Sequence, residues 1–242
     1  MTAVLELKGV SKSYGAITVA DELSFQLGHG EALGVIGPNG AGKTSMFNLI
    51  TGTIPADRGQ ILLKERDVTR QSAARRCRAG IARSFQIPQP FSAMTVFENT
   101  LMADTHGTRN TLASANAHCL EVLELTGLID KANEPAGSLT LLGRKRLELA
   151  RALCARPQVL LLDEIAGGLT EKECHDLVST INTIRGTGLS LIWIEHIVHA
   201  LLSVVDRLIV IDFGKKIADG DPKETMSSQA VEEIYMGVIA DG

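Results

Sequence analysis

Three groups of residues in this chain have the types and spacing for phosphate chemistry. The first is Gly37-Pro38-Asn39-Gly40-Ala41-Gly42-Lys43-Thr44, which fits G-x-x-x-x-G-K-[ST] and follows the apolar run Leu33-Gly34-Val35-Ile36. A glycine-rich turn between strand and helix aims backbone N–H groups at one point, at the positive end of the helix dipole. Such a point suits a phosphate, and Gly40 and Gly42 permit the φ values and close backbone approach it needs. Lys43 reaches the β/γ-phosphates there, and the Thr44 hydroxyl is placed to bind Mg²⁺. The second group is Asp163-Glu164, which ends the apolar run Val159-Leu160-Leu161-Leu162. A carboxylate fixed at a buried strand end suits Mg²⁺, and its neighbour outside the strand can orient or deprotonate an attacking water. Asp163 is nearer the strand, so Glu164 is read as the general base. The third is His196, directly after the apolar run 189–194 and Glu195. At the carboxyl end of such a strand it faces the ligand crevice, where an imidazole can bond a γ-phosphate oxygen or position Glu164 and its water. His199 is an equal choice on chemistry alone. Tyr14 could stack on a base and Gln86 could touch Mg²⁺ or water, but Tyr14 and Phe85 serve equally well as packing residues.

The elements that must carry these groups follow from hydrophobic period. Residues 4–8 and 17–27 alternate, and 59–63 is a further short strand, which together predict an antiparallel sheet flanking the nucleotide-binding core. Residues 43–50 open a helix after the glycine turn. From 95 to about 128 the pattern is helical, with 104–110 read as a loop between helices. Residues 144–155 form a strong helix ended by Arg156-Pro157. Strands over 159–162, 189–194 and 208–211 then alternate with helices over 171–184 and 198–204. That alternation predicts a sheet covered on both faces. Residues 1–87 and 156–242 are read as the α/β core with its β flank, and 88–155 as an inserted helical subdomain.

Composition narrows the class. The 242 residues are 45 % hydrophobic and 21 % charged, enough for a substantial core in a soluble globular protein. No apolar run reaches the roughly 18 residues of a membrane span, and the N-terminus lacks the pattern of a signal peptide. Cys77, Cys119, Cys154 and Cys174 are widely spaced, which predicts free thiols in a reducing cytosol. The net charge of -4 offers no bulk attraction to nucleic acid. Arg75, Arg76 and Arg78 make a local basic cluster, read as a solvated face or an interface.

In order and spacing these motifs resemble the ATP-binding subunit of an ABC transporter, over essentially the full length. The resemblance implies an α/β P-loop NTPase fold of the ABC type: a mixed sheet core, an antiparallel β flank and an inserted helical subdomain carrying the signature region. Tyr14 resembles the A-loop aromatic that stacks on adenine, and 37–44 the Walker A loop, with Ser45 continuing its contacts. Gln86 resembles the Q-loop glutamine, which reaches Mg²⁺, and Leu160 to Glu164 resembles Walker B with the catalytic glutamate. Gly167-Gly168-Leu169-Thr170 takes the place of the D-loop, and His196 that of the switch histidine. ATP and Mg²⁺ are the cofactors implied. Arg83-Ser84-Phe85-Gln86, Phe91, Met94-Thr95-Val96-Phe97-Glu98-Asn99, residues 146–153 and the tail 231–237 resemble the subgroup that imports branched-chain and related hydrophobic amino acids. Close relatives carry urea and short amides.

The resemblance further implies a second ATPase subunit, in a hetero- or homodimer, two membrane permease subunits and, indirectly, a periplasmic or extracellular solute-binding protein. The chain would then sit peripherally on the cytoplasmic side of the plasma (inner) membrane, without nucleic acid. The signature usually reads Leu-Ser-Gly-Gly-Gln, and here Leu139-Thr140-Leu141-Leu142-Gly143 stands in register. Thr140 keeps a hydroxyl and, with Gly143, would face the partner's ATP in trans. Leu141 and Leu142 add bulk where glycines let the backbone approach. An asymmetric heterodimer is the expectation, with the weaker hydrolysis site on the partner. The other readings are a non-transport ABC ATPase and a mainly non-catalytic partner cassette.

Overall fold

Two sheets and the helices between and beyond them place the three chemical groups, as seen in a computed structural model that describes residues 3–107, 112–229, 231 and 233. β1 (Ala3–Tyr14) and β2 (Ile17–Gly28) pair antiparallel as a hairpin, with Tyr14 opposite Ile17 at its tip. β3 (Ala32–Ile36) is buried at every position, as a strand covered on both faces must be. The glycine turn leads into α1 (Lys43–Thr51), and β4 (Arg58–Leu63) and β5 (Arg66–Asp67) then extend the hairpin's sheet. α2 (Ala73–Ala79) and β6 (Ile81–Ser84) return the chain to the second sheet. Three helices follow: α3 (Val96–Gly107), α4 (Leu112–Leu125) and α5 (Leu141–Cys154). The chain then alternates through β7 (Val159–Asp163), α6 (Glu171–Arg185), β8 (Ser190–Ile194) and α7 (Val198–Leu202). It continues with β9 (Arg207–Asp212), β10 (Lys215–Gly220) and α8 (Pro222–Met226).

Among the described residues the strands form a four-stranded antiparallel sheet, β2-β1-β4-β5, and a six-stranded sheet, β10-β9-β3-β8-β7-β6. The second is parallel from β9 to β6, with β10 antiparallel at its edge. This is the mixed core with an antiparallel flank that the sequence predicts. Alternate side chains of the central strands split between two cores. Leu33, Val35, Leu161, Ile192 and Ile194 join Leu5, Leu7, Leu27 and Phe47 between the sheets. Ile36, Leu160, Leu162, Leu191 and Trp193 pack with the helices on the opposite face.

Parallel register then brings the chemistry together. Val35 of β3 and Asp163 of β7 both stand beside Ile194 of β8, so three adjacent strands deliver their carboxyl ends to one rim. The glycine turn, Glu164 and His196 all leave from that rim.

Three local expectations change. Asp104–Gly107 belongs to α3 rather than to a loop, and residues 108–111 lie outside the described set. Asp104 is fully buried and meets His118 Nδ1 at 2.6 Å and Arg156 Nε at 3.3 Å. These long-range partners hold a locally weak helix sequence in place. α5 begins at Leu141, three residues before the predicted start at 144, because Thr140 caps it: the Thr140 Oγ1 accepts from Gly143 N at 3.2 Å. Arg76 is not part of a solvated basic face. It is buried, and its guanidinium donates to the carbonyls of Leu49, Ile50, Thr69 and Gln71, fastening the C-terminal end of α1. Of the tail 231–237 only Val231 and Glu233 are described, and Val231 packs into the core.

Candidate functional site

The glycine turn is built for backbone approach. A Cβ at Gly37 would overlap the carbonyl oxygen of Ile211, and one at Gly42 that of Val19, so neither position admits a side chain. Pro38 and Asn39 carry the turn outward, Gly40 has open space around it, and Ala41 is buried beneath. Gly42 caps α1 with no side-chain bond to its first amides, which leaves them directed out of the turn. Lys43 is buried, and its Nζ donates to the carbonyls of Gly37 at 2.7 Å and Pro38 at 2.8 Å. Burial pulls the Lys43 ammonium below its ordinary range, while Glu164 and Asp163 oppose that shift. Thr44 is exposed beside half-buried Ser45.

Opposite the turn, Glu164 is held at both carboxylate oxygens. Gln86 Nε2 donates to Oε2 at 2.6 Å, and His196 Nε2 lies 2.8 Å from Oε1. The Glu164 backbone takes φ +46°, in a region few non-glycine residues occupy, and its N–H donates to Ile194 O at 2.8 Å. Strand β8 therefore sets the position of Glu164 as well as that of His196. His199 is exposed in α7, one turn on. Asp163 is buried at the end of β7 and paired with Arg83, whose Nη1 also donates to Asn48 Oδ1 at 2.7 Å. Thr44, Gln86 and Asp163 line one cavity of about 430 Å³. Arg83 and Arg151 line the same cavity, and the hydroxyl, amide oxygen and carboxylate among its lining are the hard oxygen donors that suit Mg²⁺. Tyr14 stands at the hairpin tip, 53 % exposed, with Lys12 Nζ over one face of its ring, 5.1 Å from the centroid.

Thr140 and Gly143 begin α5. Only Leu141 turns its bulk outward, 43 % exposed, with its Cδ2 3.4 Å from where a Cβ on Gly168 would stand. Leu142 packs inward against the core, so the added bulk of this segment is one side chain rather than two.

Two residues matter here that sequence reasoning passed over. Glu195, only 2 % exposed, accepts from Ala166 N at 3.0 Å and His196 N at 2.9 Å, tying the turn after Glu164 to the histidine. An acid ending an apolar strand is the signal that could have found it. Arg83 is the other; its pairing with Asp163 across neighbouring strands leaves no local trace.

A glycine turn on a helix N-terminus, facing a strand-end carboxylate pair across a parallel sheet, defines a P-loop nucleoside triphosphatase. The ABC transporter family matches residues 20–167, from β2 through the turn after Glu164. LivG of Salmonella typhimurium, a high-affinity branched-chain amino acid transport ATP-binding protein, is 32 % identical over 97 % of this chain and 98 % of its own length. BraF of Pseudomonas aeruginosa, described in the same words, has the same identity and coverage. A solved ATP-binding cassette of an ABC transporter in its ADP conformation superposes with a TM-score of 0.89 at 29 % identity, covering 98 % of this chain and 100 % of that one. The chain belongs to the ABC transporter family: it is an ATP-binding subunit, homologous to branched-chain amino acid importer ATPases, whose hydrolysis of ATP is coupled to transport. Among the described residues no helix is long and apolar enough to cross a membrane.

Proposed function

We propose that this chain is the ATPase subunit of an importer of branched-chain or related hydrophobic amino acids. The observation that carries the substrate class is the near-full-length similarity to LivG and BraF. For the chemistry, it is the Glu164 carboxylate clamped between Gln86 and His196.

In this reading Tyr14 stacks on adenine, while the amides of 37–45 and Lys43 stabilise charge on the phosphoryl oxygens. Thr44 and Asp163, with Gln86, would hold Mg²⁺, which would supply charge neutralisation at those oxygens. Glu164 takes the proton of the attacking water. Gln86 and His196 hold its two oxygens so that the carboxylate does not rotate away, and Arg83, itself held by Asn48, orients Asp163. Thr140 and Gly143 close over the nucleotide of a second ATPase subunit, with Leu141 setting how near they come. The intact Glu164–His196 pair favours a hydrolysing subunit over a non-catalytic partner cassette.

Residues 88–155 act as the moving helical unit against a core of 1–87 and 156–242. Phe85, Ile87 and Phe91 are exposed beside a cavity of about 410 Å³ whose lining includes Ala103, His106 and Arg151. An exposed apolar strip next to a groove suits a permease segment. Two permeases, and through them a solute-binding protein outside the membrane, complete the system, which places the chain on the cytoplasmic face.

The test is reconstitution of the chain with its co-purifying membrane subunits in proteoliposomes. ATP-dependent uptake of leucine, isoleucine or valine is expected, with crosslinks from 88–91 to a permease. Uptake of urea or a short amide without these amino acids would reassign the substrate.

A further inference from the structure

The hydrolytic site uses none of the chain's thiols, yet two of them meet elsewhere in the fold. Cys119 lies in α4, and Cys154 is the last residue of α5. Both are fully buried, and Cys154 Sγ donates to Cys119 Sγ at 3.9 Å. The two stand 35 positions apart, so the contact joins two helices rather than two turns of one. A disulfide needs its sulfurs about 2 Å apart, so a closing movement of roughly 2 Å separates this contact from a bond.

The two thiols are unequal. The hydrogen bond from Cys154 pulls the Cys119 thiol below its ordinary range; burial opposes the fall, Thr100 and Arg156 add to it, and Asp104 resists it. The same bond, together with burial, pushes Cys154 up. Asp104 is itself tied to His118 and Arg156, which fixes the charged groups that border the pair. Burial pushes Cys77 and Cys174 up as well, and neither meets a second thiol among the described residues. Cys119 is therefore the thiol that ionises first, with Cys154 placed to resolve it.

The competing explanation is packing, since a buried cysteine often serves as a small apolar residue. Against it, these two sulfurs touch each other and differ in acidity, which is the arrangement of an attacking and a resolving thiol. We propose that Cys119 and Cys154 form an oxidation site, at which hydrogen peroxide converts the pair to an intrachain disulfide that fastens α4 to the last turn of α5. The Cys119 thiolate attacks one peroxide oxygen and the O–O bond breaks. Cys119 becomes a sulfenic acid, and the departing hydroxide takes up the proton that Cys119 shed, giving water. The Cys154 sulfur then attacks the Cys119 sulfur; the S–S bond forms, the S–O bond breaks, and hydroxide leaves with the Cys154 proton as a second water. Two thiols lose two electrons, and one peroxide is reduced. Burial selects the oxidant: with neither thiol exposed, a molecule close to water in size reaches them and a bulky disulfide does not.

The experiment exposes the folded full chain to hydrogen peroxide, blocks remaining thiols with an alkylating reagent, and maps peptides without reduction. A linked Cys119–Cys154 peptide is expected, lighter by two hydrogens than the sum of its halves, while Cys77 and Cys174 are recovered alkylated. Glutathione disulfide in place of peroxide gives no link and no adduct on either residue. The oxidised chain melts roughly 5–10 °C higher, as a crosslink closing so long a loop should make it, and dithiothreitol reverses the shift. In Cys154→Ala, oxidation of Cys119 stops at the sulfenic acid, which dimedone traps; in Cys119→Ala, Cys154 reacts no faster than Cys174. Trp193 fluorescence shows whether each variant is folded, and the wild-type mapping stands without them. A folded wild type that yields no linked peptide overturns the proposal. So does a link that forms only in denaturant, or one that leaves the melting temperature unchanged or lower.

Discussion

Replacing Glu195 with Gln perturbs the site without touching any group that contacts nucleotide. The carboxylate accepts from Ala166 N with one oxygen and from His196 N with the other. An amide can serve only one of these; its NH₂ must face the second N–H, so one charge-assisted bond is lost and one buried donor is orphaned. That costs roughly 2–3 kcal/mol, with the lower end favoured because removing a buried charge offsets part of the loss. In a domain of this length the shift in melting temperature is about 5–10 °C. The single tryptophan, Trp193, is fully buried in the adjacent strand and reports unfolding by fluorescence. Because the same two bonds hold the turn after Glu164 and the His196 backbone, kcat for ATP falls by roughly tenfold with KM little changed, as expected when about one hydrogen bond's worth of positioning is lost. A melting temperature within about 1 °C of wild type, together with unchanged turnover, would refute this account of Glu195.

Other consequences are open to the same tools. Arg76→Met leaves four carbonyls without their donor and should cost about 3–5 kcal/mol in denaturant unfolding; a loss no larger than that of a surface substitution contradicts the anchoring role. Gly37→Ala drives a Cβ into the Ile211 carbonyl, so equilibrium dialysis should find ATP binding abolished while circular dichroism still shows a folded chain. Lys43 has a folded pKa below 10.5, so the unfolded chain binds more protons between that lowered value and 10.5, and stability contributed here rises with pH across the window. Relative to Lys43→Met, the wild type should therefore gain melting temperature as pH climbs toward 10.5, and a flat difference contradicts the burial argument.

What was legible in the sequence was what repeats locally. β3, β7, β8 and β9 announce themselves as apolar runs, and the glycine turn and Asp163-Glu164 sit at the ends of two of them. Order along the sheet was not legible: that β8 lies between β3 and β7, bringing His196 to Glu164, depends on packing. Chemistry alone left His196 and His199 equal; the choice follows from one turn of α7 carrying His199 away. Asp104 was misread because Asp-Thr-His-Gly favours a loop locally, whereas burial against His118 and Arg156 overrides that preference. Arg76 was misread for a similar reason, since its neighbours Arg75 and Arg78 are exposed and its four partners lie on other elements. Lys145 and Glu148 carry no local sign of burial; the path of residues 86–91 across that face supplies their partners.

The central claim is that Glu164, held by Gln86 and His196, is the base that activates water. Single-turnover hydrolysis by Glu164→Gln, beside ATP binding measured on the same preparation, tests it most directly. The amide keeps hydrogen-bonding contacts but takes no proton, so hydrolysis should fall by roughly 10²–10⁴-fold with ATP affinity retained. Hydrolysis at the wild-type rate, with ATP bound equally well, would contradict the account.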